Sequence, residues 1–570
     1  MRVNSLTRRS AARAPETPTQ RITGIVTMLA LVVLVAVPLA VIVLAAFRTE
    51  APGFPADYTL DNFSRIFDSS ALTLLKNSVI ISVCTTVLAL LLGGTLAVVL
   101  LRTNVIAGKR LDSLIMVPAY MSPFIGAIAW TLLFSPDIGY GTALLRSLGL
   151  PIFNVYSFAG IIVVMGVYYA PIAYLYIRAM LANIDVSLEE SARVLGASPR
   201  VTMRAVVLPL ALPAILSASL LVLVAALGQF GVPGVLGLRV GIDVIPTRIV
   251  QLTTNYPSEP TTAAALGVEL AVFALIVLWI NNLVLNRRDY ATIATRGGTG
   301  RRTGRRNLVG TAFAWLYIAL AVVLPIGALV ITSFMPYVTT DIGSVSLTLD
   351  NYFYVLQEYP SAVRATQNSV LLALAAAVVA TAMAMVLAHI RYRTSSRFRK
   401  PLDYLSALPV AIPHSVVGLA FLWAWLLIPT VVPLPFPVYG TGLILLMLYV
   451  ALFIPYASRA ANSAILQVDR SLEESARVLG ASWPVMVRRI SLPLLRPGLL
   501  TAAVVVFYHA VRELPASMLV VSPGNEVIAT AIWDMYTEGL WVKLFALANV
   551  NLVIVFAAVW IMRRFGGSEG

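Results

Sequence analysis

The amino-acid sequence is dominated by apolar runs of about twenty residues, the length that a helix needs to cross the hydrocarbon core of a bilayer. Residues 25–47 and 367–389 contain two of the clearest runs. Hydrophobic residues make up 59% of the 570-residue chain and charged residues only 12%, whereas soluble domains carry about 25% charged residues. A soluble core has no place for this much apolar sequence. We therefore expect an all-α integral membrane protein.

Twelve such runs are predicted to span the membrane, six in each half of the chain. The predicted spans cover residues 25–47, 77–101, 113–134, 159–180, 211–235 and 266–286 in the first half, and 311–334, 368–390, 404–428, 440–460, 497–514 and 544–562 in the second. The first run is too long for the core of a signal peptide and no clear cleavage site follows it, so we expect a membrane helix there. Cys84, the only cysteine, excludes an intrachain disulfide and a cysteine-based metal site.

The positive charges predict the orientation of the spans. The formal net charge is +15, mostly from arginine, and the arginines cluster in short connections that six spans per half place on one side of the membrane. These connections are residues 102–112, 181–210, 287–306, 391–400 and 470–489. Because basic loops stay in the cytoplasm, this side and both termini are predicted to be cytoplasmic. The hydropathy argues against a nucleic-acid partner, which the net charge alone would permit.

The two halves of the chain are repeats of one another. Residues 187–198 and 471–482 both read SLEESARVLGAS, twelve identical residues that lie 284 positions apart. Weaker echoes at nearly the same offset are Asn62 and Asn351, Asn77 and Asn368, and Pro118 and Pro409. Since each half has an even number of spans, both halves point the same way. A pseudo-twofold axis is therefore expected to run along the membrane normal.

This organisation predicts four segments. Residues 1–24 form a cytoplasmic N-terminal tail, and residues 25–296 form the first six-span domain. Residues 297–307 are rich in glycine and arginine and are typical of a flexible cytoplasmic linker. Residues 308–570 form the second six-span domain.

The repeated segment is predicted to form a short amphipathic helix. In the first copy, Ser187 and Glu190 have the spacing of a capping box at a helix start. Leu188, Ala192 and Leu195 follow at helical spacing as an apolar stripe. The second copy repeats this pattern, so both halves are expected to carry the same helix on the cytoplasmic side.

The opposite face of this helix is charged. Glu189 and Arg193 are spaced for an i,i+4 salt bridge, and Gly196 is expected to end the helix. A helix–turn–helix that merely connects two spans would explain the capping and the amphipathic pattern. It would not explain why two loops share twelve identical residues while their flanking spans have diverged. A shared binding surface for a symmetric partner explains that directly.

The repeated loops contain the pattern E-x-A-x-x-x-G, nine residues and then I-x-L-P, which resembles the EAA signature of ABC importer permeases. The pattern runs from Glu190 to Pro209 and again from Glu474 to Pro493. Serine replaces the first alanine in both copies, and Val206 replaces the isoleucine in the first. The resemblance covers nearly the whole chain. It implies twelve transmembrane helices arranged as two six-helix type I ABC permease repeats.

In such permeases this loop is the coupling helix, which sits in a cleft of the ATPase subunit. The resemblance therefore implies docking loops at residues 182–209 and 466–493. It assigns the ATPase-docking residues as Glu189, Glu190, Ala192, Arg193, Gly196 and Ala197 in the first loop and Glu473, Glu474, Ala476, Arg477, Gly480 and Ala481 in the second. The two glycines would make the sharp turn that follows each helix.

The resemblance also implies the partners. These are two cytoplasmic ABC ATPase subunits, which the identical loops favour as a homodimer, an extracytoplasmic substrate-binding protein, and the lipid of a bacterial cytoplasmic membrane. The chain itself has no phosphate-binding loop: its only Gly-Lys pair is Gly108-Lys109, and Thr103 stands where the first glycine is needed. We therefore expect no enzymatic activity and no cofactor bound by this chain, with ATP and Mg used by the partner subunits.

Five further stretches narrow the expected substrate. Residues 229–233, 245–249, 512–517, 522–524 and 532–534 look like segments of the fused permeases of ferric iron uptake. Permeases that carry thiamine, polyamines or phosphonates share much of this pattern and stay open as alternatives. An ion-coupled secondary carrier is the alternative from a different class. It would need buried charges for coupling, but it would not need two identical cytoplasmic helices.

Polar and ionisable groups at membrane depth are costly and mark candidate substrate pathways. The candidates here are Gln229, Glu269, His414, His509, Arg512 and Glu513. Gln229 is the repeat equivalent of Glu513, and by resemblance the fifth span of each half lines the translocation path. No Cys, His, Asp or Glu cluster has the spacing of metal ligands, so no metal site is predicted.

Each candidate also has a structural explanation. Arg512 and Glu513 could pair with each other near the outer interface. His414 could cap a backbone group that Pro413 leaves free, and Glu269 could lie outside the hydrocarbon. The sequence alone leaves these alternatives open.

Overall fold

The computed structural model describes residues 18–64, 68–286, 306–341, 343, 345–433 and 435–565. Within these ranges the chain is helical, apart from loops and two isolated β-bridges. The predicted tail up to residue 17 and the predicted linker up to residue 305 lie outside the described residues. The proposed domain boundaries stay predictions.

The prediction of twelve spans in an all-helical chain is confirmed. Among the described residues, eleven helices are long and apolar enough to cross a membrane, and the number is twelve when one bent pair is counted as a single span. The spans of the first half are Gln20–Ala45, Ser69–Arg102, the bent pair Gly108–Tyr120 and Pro123–Phe134, Phe158–Asn183, Pro199–Leu227 and Pro260–Val284. Those of the second half are Leu308–Ser333, Pro360–Arg393, His414–Val431, Gly442–Gln467, Val487–Val511 and Trp541–Phe565.

The third span is broken, where the sequence predicted one continuous helix over residues 113–134. Its two parts meet at an angle of 101°. The cause is Pro123, which forces Ser122 out of the helical region to a ψ of 130°. The ninth span has a related break, because Ile412 is extended before Pro413 and the helix restarts at His414.

The fifth and eleventh spans end earlier than predicted. They stop at Leu227 and Val511 instead of residues 235 and 514. Short helices follow each of them, and the chain then returns to the last span of its half. These are Gly231–Leu236 and Ile245–Thr254 in the first half, and Ser517–Val520 and Ile528–Glu538 in the second.

Smaller helices complete the two halves. Two of them, Val186–Val194 and Arg470–Val478, lie at one end of the bundle, which we call the docking-loop end; the other is the far end. The remaining short elements include Asp61–Ser64, Tyr140–Ser147, Asp350–Phe353 and Arg399–Ala407.

Equivalent hydrogen bonds in the two halves bear out the repeat. The Ser78 hydroxyl accepts a hydrogen bond from the backbone N–H of Ile245 at 2.9 Å. In the second half, the Ser369 hydroxyl accepts one from Ile528 at 2.7 Å. Each bond joins the second span of its half to the start of the short helix that precedes the last span. The two halves are therefore held together in the same way at the far end.

The match between Asn62 and Asn351 in the two repeats has a structural cause. The Asn62 amide donates to the carbonyl oxygens of Ala46 and Arg48, at 3.0 and 2.7 Å. Asn351 donates to the carbonyl of Ser333 at 2.9 Å. Both side chains satisfy carbonyl groups that the end of a span leaves without an intrahelical partner.

The second and fourth spans of the first half cross in close contact at Gly93. A Cβ on Gly93 would lie 2.4 Å from the Ala170 carbonyl oxygen and 2.8 Å from the Ala173 Cβ. The neighbouring Gly94 is different, because its nearest neighbour would be the flexible tip of Ile177 at 3.4 Å. The crossing therefore requires glycine at position 93 but not at position 94.

We predict that Gly93→Ala destabilises the protein, because the added methyl would collide with backbone atoms of the fourth span. The expected loss is about 1–3 kcal/mol, typical of an overpacked core. Unfolding in detergent micelles measures it, and Gly94→Ala serves as the matched control. Equal stability of the two variants would contradict the close crossing.

Candidate functional site

The two repeated loops fold into equivalent short helices, Val186–Val194 and Arg470–Val478. The predicted capping box at Ser187 is wrong, because Asp185 caps the first helix instead and accepts a hydrogen bond from the Ser187 N–H at 2.9 Å. Asp469 does the same for Ser471 at 2.9 Å. The hydrogen bonds from Ser471 hold the pKa of Asp469 below its usual value, so the carboxylate stays charged at the positive end of the helix.

Each helix ends in a tight left-handed turn at the predicted glycine. Gly196 has a φ of +85° and Gly480 a φ of +84°. In the first loop, the N–H of Ala197 reaches back to the Ala192 carbonyl at 3.0 Å, and the equivalent bond in the second loop is also 3.0 Å. This is the Schellman pattern, which favours glycine at the turn.

An apolar surface faces outward from each loop. Val194 and Leu195 are both 87% exposed, and their counterparts Val478 and Leu479 are 87% and 86% exposed. These residues lie beyond the spans, so lipid tails do not account for them. The predicted stripe is therefore not packed into the protein at Leu195. Large apolar side chains this exposed mark a surface that a partner covers.

The inner face of the first docking helix is held by an ion pair that the sequence did not predict. Glu189 was expected to pair with Arg193, but that expectation is wrong. The buried Glu189 carboxylate lies 2.9 Å from the guanidinium of Arg102, at the end of the second span. The same guanidinium donates to the Leu181 carbonyl at 3.0 Å. Arg193 is exposed on the other face.

The second loop has the same arrangement. Arg393, at the end of the eighth span, lies 3.5 Å from the Glu473 carboxylate. It also donates to the carbonyl groups of Ile465 and Val468, at 3.1 and 2.6 Å. Glu473 accepts a further hydrogen bond from the Ser491 hydroxyl at 3.2 Å. We call these two pairs, Arg102–Glu189 and Arg393–Glu473, the clasps.

The other predicted docking residues lie around this framework. Glu190 and Glu474 are exposed, and Glu474 pairs with Arg470 at 3.0 Å. Ala476 is buried, whereas Ala192, Ala197 and Ala481 are half-buried. The side chain of Arg477 lies outside the described residues.

A polar cluster lies where the two halves meet. His414, at the restart of the ninth span, places its Nδ1 atom 2.9 Å from Glu513 Oε2. The other carboxylate oxygen of Glu513 accepts a hydrogen bond from the N–H of Ala516 at 2.9 Å. The alternative in which Glu513 pairs with Arg512 is therefore wrong, and so is the alternative in which His414 only caps a backbone group.

Arg512 joins the two halves. Its guanidinium donates to the carbonyl groups of Ala119 and Met121, the latter at 3.2 Å, beside the break in the third span. It also lies 3.2 Å from His509 Nδ1 and over the ring of Tyr508 at 5.4 Å. The break leaves carbonyl groups without helical partners, and the opposite half supplies the donor.

Gln229 reaches the same region from the first half. Its side-chain N–H donates to the Tyr169 hydroxyl at 3.3 Å, and its oxygen accepts from the N–H of Gly231 at 3.3 Å. Gln229 and its repeat equivalent Glu513 therefore both accept a hydrogen bond from a backbone N–H at the start of the short helix that follows their span. The preceding Gly228 abuts Pro413, because a Cβ there would lie 2.9 Å from the proline side chain.

Aromatic rings surround the cluster. His509 lies against Tyr456 at 4.6 Å and Phe453 at 5.5 Å between ring centroids. Closer to the far end, Trp533 packs on Phe230 at 4.6 Å and Phe124 at 5.9 Å.

The structure thus brings together five of the six predicted path residues, namely Gln229, His414, His509, Arg512 and Glu513. Glu269 is separate: it lies on the sixth span with Oε2 buried and without a hydrogen-bond partner. Among the residues that the structure describes, no group of three or more His, Cys, Asp or Glu is placed to hold a metal ion.

Two features of the site were missed at the level of sequence. Arg102 and Arg393 stood out only as basic loop residues, although they share the 291-residue offset of Pro118 and Pro409. That shared offset is the signal that could have marked them as a repeated pair. The carbonyl groups that Arg512 binds carry no side-chain signature at all.

Two six-span repeats, each with the same loop at one end, define a duplicated integral membrane protein. The family described as "Binding-protein-dependent transport system inner membrane component" matches residues 86–290 and 378–567, one segment in each half. The chain belongs to this family.

Curated relatives of this chain include transport permeases. It is 26% identical to the ferric transport system permease protein FbpB of Actinobacillus pleuropneumoniae, over 78% of this chain, and spans just under two thirds (65%) of that protein's length. It is 24% identical to the Fe(3+)-transport system permease protein FbpB 2 of Haemophilus influenzae, over 86% of this chain and 90% of that protein. A probable molybdenum ABC transporter permease of Haloferax volcanii is 32% identical, over 44% of this chain and 87% of that protein.

We predict that Glu189→Gln loosens the first docking helix even without a partner, because it leaves the Arg102 guanidinium without its carboxylate. Hydrogen–deuterium exchange of residues 186–194 in the purified chain should rise at least about tenfold, since breaking a buried ion pair costs several kcal/mol. Glu190→Gln, one residue on and exposed, is the matched control and should leave exchange unchanged. Similar exchange in both variants would show that the clasp does not hold the helix.

Proposed function

We propose that this chain is the membrane-spanning permease subunit of an ATP-driven importer and carries both permease halves in one polypeptide. The observation that carries this proposal is the pair of docking helices, which present the same exposed apolar surface and are held by the same clasp. Two identical surfaces suit two copies of one ATPase subunit. The ATPase subunits bind ATP and Mg, and this chain contributes no catalytic group.

The clasps connect the docking helices mechanically to the membrane spans. Arg102 binds both the docking helix, through Glu189, and the end of the fourth span, through the Leu181 carbonyl. A displacement of the docking helix is therefore carried to the second and fourth spans together. Arg393 links the equivalent elements of the second half. Closure of the ATPase pair would in this way rock the two halves about their shared polar cluster.

The orientation follows from the arginine-rich ends. The docking-loop end faces the cytoplasm of a bacterial inner membrane, together with both termini, because basic connections are retained there. The far end receives the cargo from an extracytoplasmic binding protein, the partner that the family's description names.

Ferric iron is the first candidate cargo. Two of the relatives described above are named as ferric permeases, and one of them is covered over 90% of its length. A molybdenum permease matches 44% of this chain over 87% of its own length, which favours an oxyanion as the second candidate. Uptake assays with ferric iron, molybdate, thiamine, polyamines and phosphonates separate these possibilities.

An ion-coupled carrier would behave differently from this importer. Uptake by the importer stops when ATP or the ATPase subunit is removed and persists after the ion gradient is collapsed. Uptake that persists without the ATPase and stops with a protonophore would overturn the proposal.

We predict that Leu195→Glu and Leu479→Glu each weaken ATPase binding at least about tenfold, because a charge replaces an exposed apolar anchor at the interface. Well-packed interface anchors contribute about 2 kcal/mol or more. Co-purification and ATPase stimulation with the chain in nanodiscs measure the effect.

Tyr404→Glu provides the control for these two variants, since Tyr404 is 76% exposed near the docking-loop end but outside both loops. It should bind the ATPase normally. Equal loss of binding in Tyr404→Glu would mean that a charge anywhere at this end disturbs the complex, and the assignment of the docking surfaces would fail.

We predict that Glu513→Gln lowers uptake about tenfold while ATPase docking stays intact. The change removes a charged partner of His414, and hydrogen bonds to charged groups are worth about 1.5–3 kcal/mol. Glu269→Gln is the matched control, because Glu269 is also a carboxylate within a span but lies outside the cluster. Unchanged uptake in Glu513→Gln, or an equal loss in Glu269→Gln, would rule out a role of the cluster in transport.

A further inference from the structure

A cavity of about 350 Å³ lies between the two halves. Leucine and valine side chains of the fifth and sixth spans form one wall. The opposite wall belongs to the second half, where the polar side chains Arg391, Asp403, Ser458, Arg459 and Asn462 lie among apolar ones such as Leu387 and Val410. A single water needs only about 10–15 Å³ of such space, so a small hydrated solute fits.

The cavity adjoins the polar cluster on its docking-loop side. Val224 and Pro455 line the cavity. Val224 precedes Ala225, whose carbonyl accepts a hydrogen bond from Tyr169, and Pro455 precedes Tyr456, which packs on His509. Its other end lies near Arg391, two residues before the eighth span ends. A solute leaving the cluster for the docking-loop end would enter this space.

The charge of the cavity is positive. Two arginines and one aspartate among the described lining residues give a net charge of +1. Asp403 is already bound, because one of its oxygens lies 3.0 Å from the Arg391 guanidinium. The Nη1 atom of Arg459 donates a hydrogen bond to the hydroxyl oxygen of Tyr176, in the first half, at 3.4 Å. Because this partner is neutral, the positive charge of Arg459 is not neutralised.

The Arg459 guanidinium and the Asn462 amide are hydrogen-bond donors at the cavity wall. The Ser458 hydroxyl and the Nε atom of Arg391 are buried without a hydrogen-bond partner, and neither atom is exposed to the cavity. Guanidinium and amide groups around one space match an anion with several acceptor oxygens, and charge-assisted hydrogen bonds to arginine are the strong ones. A bare multivalent cation would meet repulsion and no free carboxylate there.

We propose that this cavity binds a small tetrahedral oxyanion, which crosses the membrane either alone or as a ligand of ferric ion. The inference rests on the proposed transport function and specifies its cargo: the species released at the docking-loop end carries oxyanion chemistry, and iron does not pass as a bare ion. A phospholipid head group has the same chemistry. The position between the halves, next to the cluster, assigns the site to the soluble anion.

Binding of radiolabelled phosphate and molybdate to the full chain, in nanodiscs of phosphatidylcholine, tests this proposal. Arg459→Gln and Arg391→Gln should each weaken binding of the better anion at least tenfold. Arg459→Gln leaves no carboxylate unpaired, so it is not expected to impair folding.

Arg178→Gln is the matched control. Arg178 pairs with Asp112 at 2.9 Å, and the exposed fractions of the two side chains, 38% and 34%, equal those of the Arg391–Asp403 pair. It does not line the cavity. Anion binding by Arg178→Gln should equal that of the unmodified chain. No binding of either anion, or equal loss in Arg178→Gln and Arg391→Gln, overturns the proposal.

Two further competition measurements identify the source of the anion. Ferric citrate and ferric phosphate should compete with the labelled anion if the cargo is a ferric complex. Displacement of the labelled anion by phosphatidylglycerol alone would assign the cavity to lipid and overturn the cargo assignment. Because the binding assay contains no ATPase, ATP-driven uptake that persists without anion binding would refute this inference and leave the proposed function standing.

Discussion

Lipid offers no hydrogen-bond donors, so a carbonyl group freed within a membrane span must find one in the protein. The break before Pro123 frees such carbonyl groups at Ala119 and Met121, and Arg512 of the opposite half binds both. One arginine thereby satisfies the backbone of the first half and joins it to the second. His414, Glu513 and His509 are arranged around this contact. At the polar cluster, this bond is the contact that ties the backbone of the first half to a side chain of the second.

Periodicity and composition predicted the local features of the fold. The twelve spans and the glycine turns at the ends of the docking helices follow from patterns within about twenty residues, and the repeat follows from twelve identical residues 284 positions apart. The N-cap could not be chosen in the same way, because Asp185 and Ser187 are both good capping residues and either could begin the helix. The prolines at positions 123 and 413 were visible in the sequence, but a proline within a membrane helix kinks some helices and ends others, and the sequence does not distinguish the two outcomes.

Contacts between distant parts of the chain were not predictable. Glu189 has a suitable partner four residues away in Arg193, and only the packing of the loop against the second span directs it to Arg102. Arg512 binds main-chain oxygens, which every residue has, so no sequence pattern marks its acceptors. The repeat was the only sequence signal that placed Gln229 and Glu513 at equivalent positions and so in the same region as His414. Glu269 is also a glutamate within a span, but it lies in a different environment, and its residue type alone did not reveal this.

Arg512 and Gly228 occupy equivalent positions in the two repeats. At one, a long cationic side chain crosses the interface; at the other, Pro413 leaves no room for a side chain. Two identical subunits could not have this arrangement, since each mutation would appear on both sides at once. Fusion of the two copies into one gene removes that symmetry and lets each side of the interface evolve separately. The docking loops, for which we propose a partner that is itself duplicated, would gain nothing from that freedom, and they share the same twelve residues.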